Sequence, residues 1–376
     1  MIRALGTTLV VLLFAGAAVA AAPPAPEEVR RSMGVPSEGD RRGQQDAVGF
    51  AVTREQMDGI VRLAAAGPAP EGFGRALRGP VLGALCPHDD YVYAGRMYRV
   101  ALAPVRAKTV VLLGVFHKWR AFGIRDRLLF DTYRLWRSPD GDVPVSPLRK
   151  AVLERLSPGD FLEDDTAHDA EHSLEPIVFW LRRQNPEVEI LPILVPTMNF
   201  DRMEALAGRL AAALSAALAE RGLAWGRDVQ VVVSSDAVHY GRDFDYTPFG
   251  DGGVEAYLLA RAQDRRLVRE YLSGKVTAKK ARGLFGKLVD PEDPGRYRIP
   301  WCGRFSVPFA MLLLERLAGP GGVRAVPAAT ALSVDGPTLR FPQGPGPTAP
   351  ADLHHFVGYA AVWFEGMPPR GGAAGP

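Results

Sequence analysis

Three of the seven histidines in this 376-residue chain follow apolar runs that are typical of buried strands. His88 follows VLGALCP, His117 follows TVVLLGVF, and His239 follows VQVVVSSD, which itself ends in Asp236. In an open α/β sheet, ligands bind beyond the carboxyl ends of the strands, so these imidazoles can converge on one crevice. A lone histidine in such a place is usually a hydrogen-bonded structural residue, whereas three together indicate a site.

A cysteine offers a softer donor to the same crevice. Cys302 lies in IPWCGRFSVPF, directly before an apolar helical run. Two imidazoles and one thiolate would make a borderline-soft site suited to zinc, copper or iron. The alternative is a disulfide between Cys86 and Cys302, the two cysteines of the chain, because an exported protein can keep such a bond.

A fourth histidine opens a helical pattern. His172 and Glu175 lie three residues apart in EHSLEPIVFWLRRQ, so one helix would place them on one face. Carboxylates near a helix start also suit the helix dipole, which is the structural explanation. From the residues alone, the pocket role and the structural role remain equally open.

A sheet is needed to position these candidates. Buried strands are expected at VLGALCP, TVVLLGVF, VEILPILVP and VQVVVSSD, with two late strands in VRAVPAATALSV and HHFVGYAAVWFE. Helices are expected over 170–184, 200–221, 254–272 and 305–317. The alternation predicts a single α/β domain with a central, mostly parallel sheet flanked by helices.

The first residues have a pattern that is typical of export. A basic start, an apolar run over 9–20 and a small-residue AVA site predict a signal peptide over 1–20, with an uncleaved anchor helix as the alternative. No later segment is long enough to span a membrane. The mature protein is therefore expected in the periplasm or outside the cell. Downstream of the signal we expect a flexible lead-in (21–47), the folded domain (48–366) and a disordered tail (367–376).

The charge balance argues against one class of partner. The formal net charge is +3, and the basic residues are scattered among acidic ones. A nucleic-acid-binding protein usually concentrates Lys and Arg on one face. We therefore expect no nucleic-acid partner.

Six segments, in this order, resemble the blocks of the Memo-like family, also called AmmeMemoRadiSam system protein B. They are PHDDYVYAG, LLGVFHKW, EHSLEPIVFWL, ILPILVPTM, VVVSSDAVHYG and WCGRFSVPFAMLLL. The resemblance covers roughly residues 82–364. The family is similar in fold to the class III extradiol ring-cleaving dioxygenases, which implies one α/β domain with a metal pocket at the strand ends.

The resemblance also implies a set of metal ligands. The family's metal-site histidines fall on His88 and His117, and its cysteine ligand falls on Cys302. After its first histidine the family usually has a small pair, whereas this chain has Asp89 and Asp90. We add Asp89 as a candidate ligand, because a carboxylate at this pair would restore the 2-His-1-carboxylate set of extradiol enzymes. Alternation of side chains predicts that one of the two points to the pocket and the other away.

The remaining matched residues would supply proton transfer. The Asp and His that lie behind the family's metal ligands fall on Asp236 and His239, which implies that His239 is a general acid/base oriented by Asp236. His172 and Glu175 match the family's EHSxE block, which implies a place in the same pocket.

These expectations favour a metal-dependent redox enzyme. The metal would be one iron or copper ion rather than zinc, and the ligand an unknown small molecule or peptide. A non-catalytic metal- or peptide-binding module and a zinc-dependent hydrolase with a metal-bound water are the alternatives. The family name further implies AMMECR1-like and radical-SAM proteins as partners.

Overall fold

The computed structural model describes residues 23–74 and 76–368. The predicted signal peptide and residues 369–376 of the predicted tail lie outside the described residues. Within the described ranges, none of the helices combines the length and apolar character that a membrane span requires.

Helices and strands alternate along most of the chain. The helices are α1 (Pro26–Ser32), α2 (Arg54–Ala66), α3 (Tyr91–Leu102), α4 (Trp119–Phe122), α5 (Leu148–Leu153), α6 (Asp165–Asp169), α7 (Glu175–Gln184), α8 (Phe200–Ala219), α9 (Gly253–Tyr271), α10 (Ala278–Leu288) and α11 (Ser306–Leu317). The strands are β1 (Arg41–Arg42), β2 (Val81–Cys86), β3 (Thr109–Val115), β4 (Leu128–Phe130), β5 (Leu135–Trp136), β6 (Val143–Pro144), β7 (Phe161–Glu163), β8 (Glu189–Val195), β9 (Val229–Ser234), β10 (His239–Tyr240), β11 (Gly274–Lys275), β12 (Val323–Leu332) and β13 (Phe356–Gly366).

The middle of the large sheet is parallel. Strands β2, β9, β3 and β8 lie side by side in that order and run in one direction. Beyond β2 the sheet continues antiparallel through β13, β12 and β11, and beyond β8 it continues through β4 and β7. The predicted single α/β domain with helices around a central sheet is confirmed, and the sheet is mixed. Strands β12 and β13 are joined without a crossover helix, which accounts for their antiparallel pairing.

Alternate residues of the central strands face two different helical layers. Val111 and Val233 belong to the apolar cluster formed with α8, α10 and α11. Val110 and Val232 belong to the cluster formed with α2, α3 and α7. Both faces are therefore covered, which explains why these strands are continuous apolar runs in the sequence.

Residues 23–47, which were predicted to belong to a flexible lead-in, have defined secondary structure and buried contacts instead. They form α1 and β1, and the side chain of Arg42 is 0% exposed. Its guanidinium donates to Glu175 Oε1 at 2.7 Å and to the carbonyls of His168 and Glu171. The composition of the segment is typical of a loop, but its order depends on a partner 133 residues away, which local composition cannot reveal.

Candidate functional site

The candidate residues meet at the carboxyl ends of the central strands. His88 follows β2, His117 follows β3, and Asp236 follows β9, the strand between them. Together with Cys302, from the loop before α11, they line a cavity of about 470 Å³. This volume lies within the range of small-molecule sites.

Three side chains offer a group of potential metal ligands. The ligand atoms of His88, His117 and Cys302 lie within 4.8 Å of one another. The two imidazole rings meet edge to face, with their centroids 5.2 Å apart. Two nitrogens and one sulfur form a donor set that zinc, copper or iron can accept.

Hydrogen bonds determine which nitrogen of His88 can bind a ligand. Ser234 Oγ lies 2.6 Å from His88 Nδ1 and donates its own proton to the carbonyl of Ser173 at 2.6 Å. A hydroxyl has one proton, so Nδ1 must be the donor and Nε2 carries the lone pair. Burial also lowers the pKa of His88 well below its usual value, which favours the neutral ring that a metal needs.

Glu171 orients His117 in a similar way. Its carboxylate lies 2.9 Å from the ring Nδ1 and accepts the backbone N–H of His117 at 2.6 Å. The ring Nε2 is left as the available ligand atom. Burial acts to lower the pKa of His117, but Glu171 and then Cys302 outweigh it and raise this pKa to about 9. In the sequence, Glu171 looks only like a carboxylate suited to the dipole of the predicted helix, although it directly precedes His172.

The thiol of Cys302 lies against His239. The Sγ to Nε2 distance is 3.4 Å. The other ring nitrogen, Nδ1, lies 3.1 Å from the carbonyl oxygens of Ala237 and Pro300, which can only accept a proton. His239 therefore presents an unprotonated Nε2 to the cavity when its ring is neutral.

The structure contradicts the expectation that Asp236 orients His239, because Asp236 contacts His88 instead. Asp236 Oδ1 accepts the backbone N–H of His88 at 3.0 Å, and Oδ2 lies 3.2 Å from His88 Nε2. The backbone carbonyls of Ala237 and Pro300 orient the His239 ring instead. Burial, together with the nearby Asp89, raises the pKa of Asp236 to about 7. This carboxyl can therefore hold a proton near neutral pH.

A further buried carboxyl, Asp264 on α9, was not singled out in the sequence. It accepts the indole N–H of Trp301 at 2.8 Å and the backbone N–H of Val238 at 3.2 Å. These residues directly precede Cys302 and His239. Burial raises the pKa of Asp264 to about 7, although both hydrogen bonds act against the rise. An isolated aspartate in an amphipathic helix gives no sequence signal of this role.

The two carboxylates after His88 have other partners. Asp89 accepts a hydrogen bond from the hydroxyl of Tyr359, and Asp90 accepts the backbone N–H of Thr348 at 2.6 Å. Across residues 23–74 and 76–368, the groups of ligand atoms within 4.8 Å do not include Asp89. Both carboxylates line the cavity, contrary to the expected alternation. Asp90 is the N-cap of α3 and not part of a strand, so strand alternation does not apply.

His172 and Glu175 have separate roles because α7 begins only at Glu175. His172 lines the cavity, with its Nδ1 2.8 Å from Asp46 Oδ2. Asp46 and Glu171 outweigh the effect of burial and raise the pKa of His172 to about 9. Glu175 is 0% exposed and accepts from Arg42 and from the backbone N–H groups of residues 45 and 46. It therefore fixes the N-terminal segment and does not line the cavity.

The cysteines do not form the alternative disulfide in this structure. Cys86 and Cys302 are both free thiols. Cys86 is wholly buried in β2, whereas Cys302 lines the cavity. Burial raises the pKa of both thiols.

Comparisons with known proteins point to one family. The family model described as Memo-like protein matches residues 58–326. A MEMO1 family protein of Thermococcus kodakarensis is 28% identical over 243 residues, which cover 62% of this chain and 75% of that protein. One from Pyrococcus abyssi is 30% identical over 197 residues, or 50% of this chain and 63% of that protein. One from Methanosarcina barkeri is 30% identical over 288 residues, or 76% of this chain and 87% of that protein.

Proposed function

Because the chain belongs to the Memo-like protein family, as its sequence blocks predicted, we propose that it is a metal-dependent redox enzyme with one iron or copper ion in the strand-end cavity. The observation that carries the proposal is the convergence of His88, His117 and Cys302, whose ligand atoms lie within 4.8 Å of one another. The bound metal would supply electron transfer to or from a ligand in the cavity.

The surrounding residues support this assignment through the orientation of the rings. Ser234 and Glu171 each occupy Nδ1 of one histidine, which directs Nε2 of both rings to the metal. At His88 the metal would displace the contact between Nε2 and Asp236 Oδ2, which are 3.2 Å apart. Such outer partners fix the tautomer and the direction of a ligand ring. A ligand atom of each ring also lies within 4.8 Å of the Cys302 sulfur.

Proton transfer falls to residues beside the ligands. His239 Nε2 lies 3.4 Å from Cys302 Sγ and can accept a proton from a ligand in the cavity or return one to it. His172 also lines the cavity, with its Nδ1 2.8 Å from Asp46 Oδ2. These positions support the general acid/base role for His239 and a second proton-handling role for His172.

The cellular setting is part of the proposal. The basic start, apolar run and small-residue site in residues 1–20 support export to the periplasm or beyond. The family name supports AMMECR1-like and radical-SAM proteins as candidates for partners in a modification system. Intact-mass measurement of the native protein tests export, because a full-length product that remains in the cytoplasm contradicts it.

A zinc-dependent hydrolase is the second candidate, because a thiolate and two imidazoles also suit zinc. Metal analysis of protein purified without a metal-affinity tag separates the two. Close to one iron or copper per chain supports the redox enzyme, and zinc supports the hydrolase. A cavity that takes up no metal on reconstitution supports a non-catalytic binding module.

A pair of histidine variants makes this experiment specific. His117→Ala should lose the metal while its circular dichroism stays that of the parent, because a strand-end ligand is not part of the core. His354→Ala is the matched control, since this exposed histidine donates to the carbonyl of Asp251 and lies outside the cavity lining. Equal metal content in the two variants would contradict the proposed site.

A further inference from the structure

Part of the cavity wall comes from segments outside the residues that the family model matches. That match covers 58–326. Asp46 and Phe50 line the cavity from the N-terminal side, and residues 348–351 line it from the connection between β12 and β13. The candidate metal ligands His88, His117 and Cys302 form the floor of the cavity and lie inside the matched range. This part of the wall lies outside it.

Asp90 joins both segments to the start of α3. Its Oδ2 accepts the backbone N–H of Thr348 at 2.6 Å and the hydroxyl of Thr348 at 3.0 Å. On its other side lies Gly49, where a Cβ atom would come 1.8 Å from Asp90 Oδ1. A side chain at position 49 would therefore displace the Asp90 carboxylate. The carbonyl of Gly49 also accepts the backbone N–H of Tyr91 at 3.0 Å.

Tyr93, one turn further along α3, holds the C-terminal segment a second time. Its hydroxyl donates to the carbonyl of Ala349 at 3.0 Å and accepts the backbone N–H of Ala351 at 3.2 Å. The segment PQGPGPTAP over 342–350 is rich in proline, which fixes φ and reduces the freedom of the loop. The wall is therefore a rigid surface attached to α3.

The wall is mainly apolar where it faces the cavity. Phe50, Ala349 and Pro350 lie on one side of the cavity, and Phe244 and Phe356 also line it. Its aspartates already have partners in the protein.

The three aspartates in or beside the wall, Asp46, Asp89 and Asp90, all have partners, so none of them presents a free carboxylate to a ligand cation. Asp46 pairs with His172 at 2.8 Å, and Asp89 accepts from Tyr359. Asp90 accepts the backbone N–H of Thr348. A cationic ligand body would lose its hydration against this surface without gaining an ion pair.

We infer that residues 46–50 and 348–351 form a specificity wall, which selects ligands with an uncharged apolar body of about one ring. The inference rests on the proposed function in one respect: it assumes that a ligand reacts at the part of the cavity formed by His88, His117 and Cys302. The polar floor would meet the reacting head of the ligand, and the wall would pack against its body.

The thiol of Cys302 allows a test on the metal-free protein. N-phenylmaleimide and N-methylmaleimide carry the same reactive head and differ in the ring. Their rates of addition to Cys302 are measured by peptide mass mapping and divided by their rates with glutathione. Cys86, which is 0% exposed, serves as the internal unreactive thiol. Packing of the ring on the wall should give the phenyl reagent an advantage of at least about tenfold.

Two matched variants show whether the advantage comes from the wall. Ala349→Asp places a charge on it and should reduce the advantage to below about threefold, since a ring gains little beside an unpaired carboxylate. Ala262→Asp makes the same change on the exposed face of α9 and should keep it.

Three results overturn the inference: no phenyl advantage in the parent, the same advantage in Ala349→Asp, or no reaction of Cys302 with either reagent. A separate arm concerns the metal alone. Prior addition of ferrous or cuprous ion should protect Cys302 from both reagents. Failure of protection would count against the proposed metal site and leave the result on the wall unaffected.

Discussion

Glu171 contacts His117 through both carboxylate oxygens. Its Oε1 lies 2.9 Å from the ring Nδ1, and its Oε2 accepts the backbone N–H at 2.6 Å. This carboxylate also accepts the backbone N–H groups of His172 and Ser173. Its pKa lies well below the usual range in spite of burial, chiefly because His117 lies beside it. One buried anion therefore fixes both the direction of a candidate ligand and the loop that carries a second histidine.

Glu171→Gln should weaken metal binding about 10- to 100-fold, the usual effect of losing a partner behind a ligand histidine. The amide oxygen can still accept a hydrogen bond from the ring, but it no longer supplies the negative charge that makes the imidazole a stronger metal ligand. Affinity is measured by competition of the protein with a chromophoric chelator for zinc. Glu163→Gln, at an exposed position on β7, is the control and should bind like the parent. Equal affinities for all three proteins would contradict the role of Glu171.

Asp264→Asn should change how stability depends on pH. The folded pKa of Asp264 is raised to about 7, so its contribution to stability is present at low pH and is lost as the pH rises through about 7. With an unfolded pKa of about 3.9, the parent should lose about 2–3 kcal/mol relative to the variant between pH 5 and pH 8. Urea unfolding at both pH values measures this difference.

The control for that experiment is Asp201→Asn, whose side chain is 83% exposed. It should show no such change relative to the parent. A stability difference between parent and Asp264→Asn that is the same at both pH values would show that Asp264 does not titrate in this range.

Arg42→Ala should destabilise the protein by about 3–5 kcal/mol, because it leaves Glu175 buried without its cation. Arg134→Ala offers the matched comparison, since the Arg134–Asp40 pair is 81% and 56% exposed and should contribute less than about 1 kcal/mol. Urea unfolding at pH 7 measures both. Similar losses in the two variants would mean that the N-terminal segment does not depend on this ion pair.

Thiol counting on denatured protein should give two free thiols, Cys86 and Cys302. Oxidation to a disulfide would remove Cys302 from the ligand group. A count of zero in the protein as isolated would contradict the ligand role of Cys302 in that state.

The parallel strands could be predicted closely, and the outer partners of the site could not. Strands β2 and β9 match their predicted runs because a strand buried on both faces is continuously apolar in sequence. The meeting of His88 with His117 follows from the same rule about strand ends. The helix expected over 170–184 begins at Glu175 instead, and this shift separates His172 from Glu175.

Contacts distant in sequence account for what was missed. The bond between Asp90 and Thr348 spans 258 residues, and nothing near either residue indicates the other. Local patterns report the period of an element and its turns, whereas these bonds depend on how loops from opposite ends of the chain come together.

The buried pair of Arg42 and Glu175 also has a consequence for biosynthesis. Arg42 leaves the ribosome well before Glu175, which follows it by 133 residues. Until Glu175 has been made, the arginine lacks the carboxylate that it pairs with in the folded protein. Asp46 depends on the same anchor through its backbone N–H. One of the earliest segments to be translated is therefore among the later ones to be fixed in place, and this side of the cavity cannot close before α7 has been made.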